Sequence, residues 1–366
     1  MKKNFMLFFL VLPIFTSCFA KTVSAEFEDS ENLPDGIIVC DDYYEKTQNI
    51  FLVLEDYVRS YSKIVEYDTE KLEITKTIFS CEEKFSINDF NASKNGFVFS
   101  VVKMRYPNDE ANVYSDIYHY DCLSNQLTKV NDAPVSESAR GLYPCNPHIN
   151  ESCIVYLCHD FEKETSQIVM YDLGSKKSEV IVAEKFPEST TGVTFLDLDG
   201  NKMLYNSFNQ GNPELNIFDL SNKAKIQTVK ALKTTSVHYN GCLDSESNVI
   251  VLYANSSRYG DLIYMIDLGT EKSKRLVGFR DNTLLKNDQM YFDGRNIMYT
   301  VQRDISGYIY DHYYAEIYDV QRLQSAQKLH TAYCFLTKGW KGFLVYDKKL
   351  QTKKIHLQIE KKGASK

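Results

Sequence analysis

Tryptophan is nearly absent from this chain of 366 residues, which contains only Trp340. Several catalytic and metal-binding motifs are missing as well. There is no Gly-x-Ser-x-Gly elbow, no His-Glu-x-x-His pair, no Cys-x-x-Cys spacing and no sialidase Asp-box ending in Gly-x-x-Trp. These absences argue against an α/β-hydrolase domain, a zincin metalloprotease and a zinc ribbon. The sequence therefore predicts no catalytic residue, no metal site and no cofactor.

Apolar runs of membrane-spanning length are also lacking. An apolar run over residues 5–15 follows Lys2 and Lys3 at the N-terminus. It is shorter than the about 20 residues that a membrane-spanning helix needs, and it is typical of the apolar region of a signal peptide. We therefore interpret the chain as an exported protein.

The way in which the signal is removed has two interpretations. The segment Phe-Thr-Ser-Cys resembles a bacterial lipobox, although Phe stands where Leu is usual, and it predicts a signal peptide over residues 1–17 and lipidation of Cys18. The alternative is cleavage after Ala20 or Ala25, which extends the signal to residues 1–25 at most. The first interpretation predicts a protein that is lipid-anchored in the cell envelope, and the second a periplasmic or secreted soluble protein.

Basic residues are fewer than acidic ones, 42 Lys and Arg against 49 Asp and Glu, and the formal net charge is −7. Residues 18–35 include an acidic stretch that we interpret as a linker. An acidic surface repels phosphate groups, so nucleic acid is not an expected partner. Electrostatic docking on anionic lipid is disfavoured for the same reason, and membrane contact is expected only through an N-terminal lipid anchor.

The chain has nine cysteines, eight of them besides Cys18. An even number in an exported chain permits disulfides, but the spacings are irregular and the chain is long enough to bury its own core. We interpret these cysteines as small apolar residues packed in strands, with a disulfide framework as the alternative.

One short phrase recurs along the chain: an aliphatic residue, two variable residues, an aromatic or aliphatic residue, and Asp. Successive copies place their Asp residues 53, 51, 47, 48 and 52 positions apart. This period is close to that of β-propeller blades. An Asp at the end of a strand accepts hydrogen bonds from the turn that follows, which explains its recurrence without catalysis. The six Asp residues are Asp68, Asp121, Asp172, Asp219, Asp267 and Asp319.

Strand-like runs flank each phrase, so that each unit consists of four antiparallel strands, A to D, with A at the axis and D on the rim. We predict an all-β, seven-bladed β-propeller over residues 36–360, followed by a tail over residues 361–366. The unit that starts near Ala332 has no fourth strand before the tail, so six blades plus a partial one is the alternative. Residues 36–41 could supply that strand, but they fit better as strand A of the first blade.

The segment Asn-Pro-His-Ile-Asn-Glu-Ser-Cys-Ile-Val-Tyr at 146–156 resembles a repeat unit of TolB-like propellers, a family related to the tryptophan–aspartate repeats. The Ile-Tyr-x-Tyr-Asp-Leu phrases resemble its third strand. The resemblance covers nearly all of residues 36–360 and implies a propeller fold and an envelope location. It implies no single function, because the family hosts many, and the single Trp departs from true tryptophan–aspartate repeats.

Tyrosine is abundant, with 26 residues, and several aromatic residues fall in predicted B–C connections, Phe161 among them. In a propeller these connections emerge on one face together with the D–A connections. Tyr is enriched at recognition surfaces because its ring combines a large contact area with a polar tip. The alternative is that these rings pack on their own loops. The predicted binding residues are Tyr106, Tyr114, Tyr259, Tyr308, Tyr310, His312 and Tyr313.

These observations predict a cell-envelope binding or scaffold protein that engages a protein or glycan, of the envelope or of a host surface, through the B–C/D–A face. The alternative is an envelope hydrolase or lyase with its site at the central channel. Inward carboxylates clustered with His would favour the enzyme, and an aromatic rim would favour the binding protein. Asp197 and Asp199 have the spacing of calcium ligands, but an A–B hairpin with an Asp-Gly turn explains them better. The oligomeric state is not predicted.

Overall fold

The computed structural model describes residues 21–359, apart from the segments 27–31, 57–60, 72, 83–84, 104–114, 132–141, 162, 186–192, 210–211, 230–239, 257–259, 279–282, 293, 295, 304–311, 331–332, 337–341 and 347–353. One helix, α1 (Asp41–Thr47), lies in this part of the chain, and all other regular elements there are strands. None of the described residues forms a helix with the length and apolar character needed to cross a membrane.

The strands form seven four-stranded antiparallel sheets, here called blades 1 to 7. Strand β1 (Lys21–Glu26) comes first along the chain. Blade 1 contains β2 (Asn32–Ile38), β3 (Asn49–Asp56), β4 (Tyr61–Asp68) and β5 (Glu73–Ser80). Blade 2 contains β6 (Phe85–Ala92), β7 (Gly96–Lys103), β8 (Ser115–Asp121) and β9 (Gln126–Lys129). Blade 3 contains β10 (Leu142–Ile149), β11 (Cys153–Asp160), β12 (Thr165–Asp172) and β13 (Lys177–Lys185).

The remaining blades follow the same order. Blade 4 contains β14 (Thr194–Asp199), β15 (Lys202–Asn209), β16 (Asn212–Asp219) and β17 (Ala224–Val229). Blade 5 contains β18 (Asn240–Asp244), β19 (Val249–Ser256), β20 (Gly260–Asp267) and β21 (Lys272–Gly278). Blade 6 contains β22 (Thr283–Phe292), β23 (Asn296–Arg303), β24 (His312–Asp319) and β25 (Gln324–His330). Blade 7 contains β26 (Tyr333–Leu336), β27 (Gly342–Tyr346), β28 (Lys354–Ile359) and β1. The predicted all-β fold of four-stranded antiparallel blades is confirmed.

Strand β1 completes blade 7. It pairs antiparallel with β28, from Lys21 opposite Ile359 to Glu26 opposite Lys354. The segment that we interpret as a linker thus contains a strand, and β2 begins at Asn32, before residue 36. The physical reason is that β28 would otherwise leave an edge of unpaired N–H and C=O groups, which β1 satisfies. Residues 36–38 lie in strand A of blade 1, as expected.

The blades form a closed ring, because each strand A contacts the strand A of the next blade and β26 contacts β2. Apolar side chains fill the space between neighbouring blades. Between blades 1 and 2, for example, the buried rings of Phe51 and Phe97 have centroids 4.8 Å apart, and Tyr120 packs against both. Burial between sheets of this kind is the main favourable contribution to folding.

The recurring Asp residues all end strand C, directly before the turn to strand D. In blade 4, Asp219 Oδ1 accepts hydrogen bonds from the backbone N–H groups of Ser221 and Asn222, at 2.8 and 3.2 Å. In the other five turns an Asp Oδ1 likewise accepts a backbone N–H from two or three residues later: Asp68, Asp121, Asp172, Asp267 and Asp319. Where the turn is fully described, the fourth residue after the Asp has a positive φ, at Asn125, Lys176, Lys223, Glu271 and Leu323. The turn explanation of the repeat is therefore confirmed.

These turn carboxylates make stability depend on pH. Hydrogen bonds from Asn222 hold the pKa of Asp219 below its ordinary value, and turn donors do the same for Asp172 and Asp267. A carboxyl group whose pKa is lowered in the folded state stabilises the protein above its unfolded pKa, and loses this contribution as the pH falls through the folded value. We expect the melting temperature to be level near neutral pH and to fall below about pH 4.

The variant Asp219→Ala tests this turn directly. It should lower the free energy of unfolding at pH 7 by about 1 kcal/mol. The melting temperature of the variant should also fall less steeply as the pH drops below about 4. Calorimetric melting between pH 3 and pH 7 measures both effects, with Glu246→Ala as a control at an exposed carboxylate. If the melting temperature of Asp219→Ala falls as steeply at acidic pH as that of the unmodified protein, this carboxylate does not contribute to the pH dependence.

Candidate functional site

Most of the predicted binding residues cannot be placed. Tyr106, Tyr114, Tyr259, Tyr308 and Tyr310 lie outside the described residues. His312 and Tyr313 are the first residues of β24 and pair with Arg303 and Gln302 of β23. They therefore lie at the B–C end of blade 6, on the predicted face.

A different group of residues forms an apolar surface on the same face, at blade 3. Leu142 and Tyr143 begin strand A, and Tyr143 lies opposite His159 near the end of strand B. The rings of Tyr143 and His159 are stacked, with centroids 6.4 Å apart and planes at 14°. The ring of Phe161, in the B–C turn, has its centroid 6.1 Å from that of His159. Tyr143, His159 and Phe161 are here called the blade-3 aromatic patch.

The patch is partly open to solvent. Phe161 is 46% exposed and Tyr143 is partly exposed. His159 is half-buried, and this burial lowers its pKa below the ordinary value. Its ring is therefore neutral near pH 7, and the patch presents apolar surface without a charge of its own.

The turn that carries Phe161 is held by local hydrogen bonds. The buried Asp160 accepts the backbone N–H of Lys163 at 3.0 Å, and its second oxygen forms an ion pair with Lys163 Nζ at 2.8 Å. On strand C, Ser166 Oγ lies 2.8 Å from His159 Nδ1. Glu164 has a positive φ of 53°, which closes the turn tightly. Fixed aromatic side chains lose little conformational entropy when they bind a partner.

The inner strands bring one carboxylate close to a His, the combination that the enzyme alternative would use. His148 Nδ1 on β10 is 3.7 Å from Asp197 Oδ1 on β14. The second oxygen of Asp197 accepts the backbone N–H of Leu243 at 2.8 Å, and Asp199 accepts that of Ser245 at 2.7 Å. Both Asp residues thus connect blade 4 to blade 5.

The spacing of Asp197 and Asp199 is explained by this connection between blades. The pair also belongs to the predicted A–B hairpin, which the structure contains with Gly200 in its turn. Blades 2 and 3 are connected in the same way, because Asp89 of blade 2 accepts the backbone N–H of Asn146 in blade 3 at 2.9 Å. Within the described part of the chain, no group of three or more His, Cys, Asp or Glu residues could hold a metal ion.

The opposite face, where the A–B and C–D turns lie, carries clefts of mixed polar and apolar lining between blades. The cleft between blades 2 and 3 has a volume of about 290 Å³ and is lined by His119, Asp121, Glu151 and other polar residues. Burial lowers the pKa of His119. Lys94 and Glu151 form an exposed ion pair across its mouth at 3.5 Å. This cleft lacks the exposed aromatic surface found at the B–C/D–A face of blade 3.

No protein-family model matches this chain, and no curated protein matches it. Several solved structures match it. The β-propeller domain of the Trilobed protease from Pyrococcus furiosus is 12% identical, with a TM-score of 0.57 over 90% of this chain and 92% of that one. Oligogalacturonate lyase in complex with manganese is 9% identical, with a TM-score of 0.50 over 82% and 97%. TolB from Acinetobacter baumannii is 18% identical, with a TM-score of 0.42 over 82% and 77%.

Identities this low bear on the fold alone. The Pyrococcus domain has an open velcro topology, whereas here β1 joins the sheet of the last blade. The similarity to that domain and to the lyase shows that the chain has the β-propeller fold, as the repeat predicts, and TolB structures are among the matches. The propeller fold that the TolB-like resemblance implies is thus confirmed.

Proposed function

We propose that this protein is an exported cell-envelope protein that binds a protein or glycan through its B–C/D–A face. The observation that carries the proposal is the blade-3 aromatic patch. It combines the exposed Phe161, on a tightly held turn, with the stacked rings of Tyr143 and His159 at the ends of two paired strands. Exposed aromatic and aliphatic side chains on a rigid base are typical of the central residues of recognition surfaces.

The chemistry of the patch indicates the kind of partner. A neutral imidazole and two aromatic rings offer flat apolar surface, with the Tyr143 hydroxyl as a polar tip. Such surfaces stack against the apolar face of a sugar ring or take up an aromatic or aliphatic side chain of a protein. The net charge of −7 disfavours polyanionic partners such as nucleic acid.

The direction of β1 supports an arrangement in which this face points away from the membrane. Strand β1 is antiparallel to β28 and takes the position of strand D, so it starts at the A–B/C–D face. Cys18 precedes Lys21 by three residues, which span at most about 11 Å. A lipid on Cys18 would therefore hold the A–B/C–D face toward the bilayer and leave the blade-3 aromatic patch accessible. Cleavage after Ala20 would also retain β1, whereas cleavage after Ala25 would remove most of it.

The enzyme alternative has less support. The His148–Asp197 pair is the observation in its favour, but one Asp197 oxygen is committed to the backbone of Leu243. The connection between blades 4 and 5 accounts for this carboxylate without a reaction. The similarity to oligogalacturonate lyase bears on the fold only.

The variant Phe161→Ala tests the proposed surface. We expect about a thirtyfold loss of affinity, because truncating a central anchor typically costs about 2 kcal/mol of binding free energy. The purified protein without its signal peptide would first be tested on a glycan array and against detergent-solubilised envelope proteins. Affinity for the glycan or protein so obtained would then be measured by calorimetric titration.

The matched control is Leu123→Ala, which removes a side chain that is 60% exposed on a C–D turn of the opposite face. It should bind as the unmodified protein does, and both variants should keep its melting temperature. Equal affinity of Phe161→Ala and the unmodified protein would move the recognition surface away from blade 3. A loss caused by Leu123→Ala alone would assign binding to the A–B/C–D face.

A further inference from the structure

Two buried cysteines from different blades meet at the boundary between blades 1 and 2. Cys40 lies between β2 and α1 in blade 1, and Cys122 directly follows β8 in blade 2. Their Sγ atoms are 3.7 Å apart, although the residues are 82 positions apart in the sequence. Cys40 is 1% exposed and Cys122 is 2% exposed.

We propose that Cys40 and Cys122 form a disulfide that covalently joins blade 1 to blade 2 in the exported protein. The proposal rests on the export that is part of the proposed function, because disulfides persist in oxidising compartments outside the cytoplasm. A disulfide bond is about 2.05 Å long, so the two sulfur atoms must approach by roughly 1.7 Å. Rotation about the Cα–Cβ bonds moves both sulfur atoms. Backbone hydrogen bonds from Asp42 N–H to the Lys94 carbonyl and from Cys122 N–H to the Asn95 carbonyl, at 3.0 and 2.9 Å, hold both segments against the same turn of blade 2.

The oxidation requires an external disulfide, either the oxidised dithiol of an exported oxidoreductase or a low-molecular-weight disulfide such as oxidised glutathione. The thiolate of one cysteine attacks that disulfide, forming a mixed disulfide and releasing one thiolate of the oxidant. The second cysteine, as a thiolate, then displaces the other thiolate of the oxidant and forms the Cys40–Cys122 bond. Two protons leave the protein thiols and two electrons reduce the oxidant to two thiols.

The surroundings of the pair indicate when this happens. Both cysteines belong to the apolar cluster that includes Phe51, Phe97 and Tyr120. Burial raises the pKa of the Cys40 thiol well above its ordinary value, with a further contribution from Cys122. A thiol in this environment reacts slowly, because the thiolate is the nucleophile. The bond should therefore form while the two blades assemble, and the cluster should afterwards protect it from reductants.

The position of the bond gives it a mechanical role. Blade 1 is attached to blade 7 through contacts between β2 and β26, and blade 7 itself is completed by pairing of β1. A covalent link on the other side of blade 1 would keep it docked on blade 2 whenever the closure at blade 7 opens. The bond would therefore stabilise the side of the ring that lies next to its closure point.

The test uses the full chain without its signal peptide, refolded with a mixture of reduced and oxidised glutathione and, separately, isolated from the compartment to which it is exported. Each sample is denatured in guanidinium with iodoacetamide and without reductant, digested, and analysed by mass spectrometry. We expect a cross-linked peptide that contains Cys40 and Cys122 and is two hydrogens lighter than the sum of its parts. Adding reductant during unfolding should lower the melting temperature by on the order of 10 °C.

Two variants test whether the effect of reductant on the melting temperature comes from the Cys40–Cys122 bond. In Cys40→Ala/Cys122→Ala, reductant should no longer change the melting temperature. In Cys242→Ala, a buried cysteine between blades 5 and 6, the effect of reductant should remain. If the double variant does not fold, the peptide analysis of the unmodified protein still decides the question.

Alkylated Cys40 and Cys122 in the glutathione-refolded protein would overturn the proposal, as would a bond from either residue to another cysteine. Refolding with glutathione does not depend on export. A bond that forms in refolded protein but not in cells would thus contradict the exported location and leave the pairing itself established.

Discussion

Replacement of Phe97 by alanine is expected to lower the free energy of unfolding by about 3–5 kcal/mol, the usual cost of removing a fully buried aromatic ring. Phe97 is 0% exposed and lies in strand B of blade 2. The centroid of its ring lies 4.8 Å from that of Phe51 in blade 1 and 5.2 Å from that of Tyr120 in its own blade. The variant therefore leaves a cavity at the boundary between two blades, where rigid sheets on both sides limit collapse.

Urea unfolding followed by far-ultraviolet circular dichroism measures this loss, and Phe161→Ala is the matched control. The same atoms are removed in both variants, but Phe161 is 46% exposed, so its truncation should change stability by less than about 1 kcal/mol. A loss for Phe97→Ala as small as that for Phe161→Ala would contradict the packing of blades 1 and 2 described above. If the free energy of unfolding of the variant depends less steeply on urea concentration, the two blades unfold separately from the rest of the protein.

Features set by a few neighbouring residues could be predicted from the sequence. The Asp at the end of strand C bonds to N–H groups two and three residues later, as Asp219 does with Ser221 and Asn222. A contact between residues two or three positions apart needs the same residue type at the same place in every blade, so it appears as a recurring motif in the sequence. The repeat therefore identified the blade, its strand order and its turns.

Closure of the ring could not be predicted in the same way. The pairing of Lys21 with Ile359 spans nearly the whole chain, and no local signal reports such a partner. The six residues Lys-Thr-Val-Ser-Ala-Glu also contain only one strongly apolar side chain, Val23, next to an acidic stretch. Outer strands of blades tolerate such composition because they face solvent on one edge.

Of the candidate site, only the location of Phe161 could be predicted. Phe161 could be assigned to a B–C connection from the sequence, and the structure places it there. Its stacking group could not be found, because Tyr143 lies 16 positions before His159 and meets it only through the register of β10 and β11. Composition alone favoured the longer tyrosine-rich connections, since it carries no information on cross-strand partners.

Removal of β1 is expected to have the other large effect. A chain that begins at residue 27 loses all six paired positions between β1 and β28. At roughly 0.5–1.5 kcal/mol for each backbone hydrogen bond, the loss of stability should be on the order of several kcal/mol. The open edge of β28 would also be free to pair with another chain, so the truncated protein should self-associate.

The control is a chain that begins at Lys21, which lacks residues 1–20 but keeps β1. It should melt at the same temperature as protein processed at Cys18 and remain monodisperse to the same degree in light scattering. The shorter chain should melt several degrees lower and form larger species as its concentration rises. Adding a synthetic peptide of residues 21–26 to the shorter chain should partly restore its melting temperature, because the peptide can occupy the edge of β28. Equal stability of the two chains would show that β1 does not close the ring in solution, and it would remove the reason for assigning Cys18 to the A–B/C–D face.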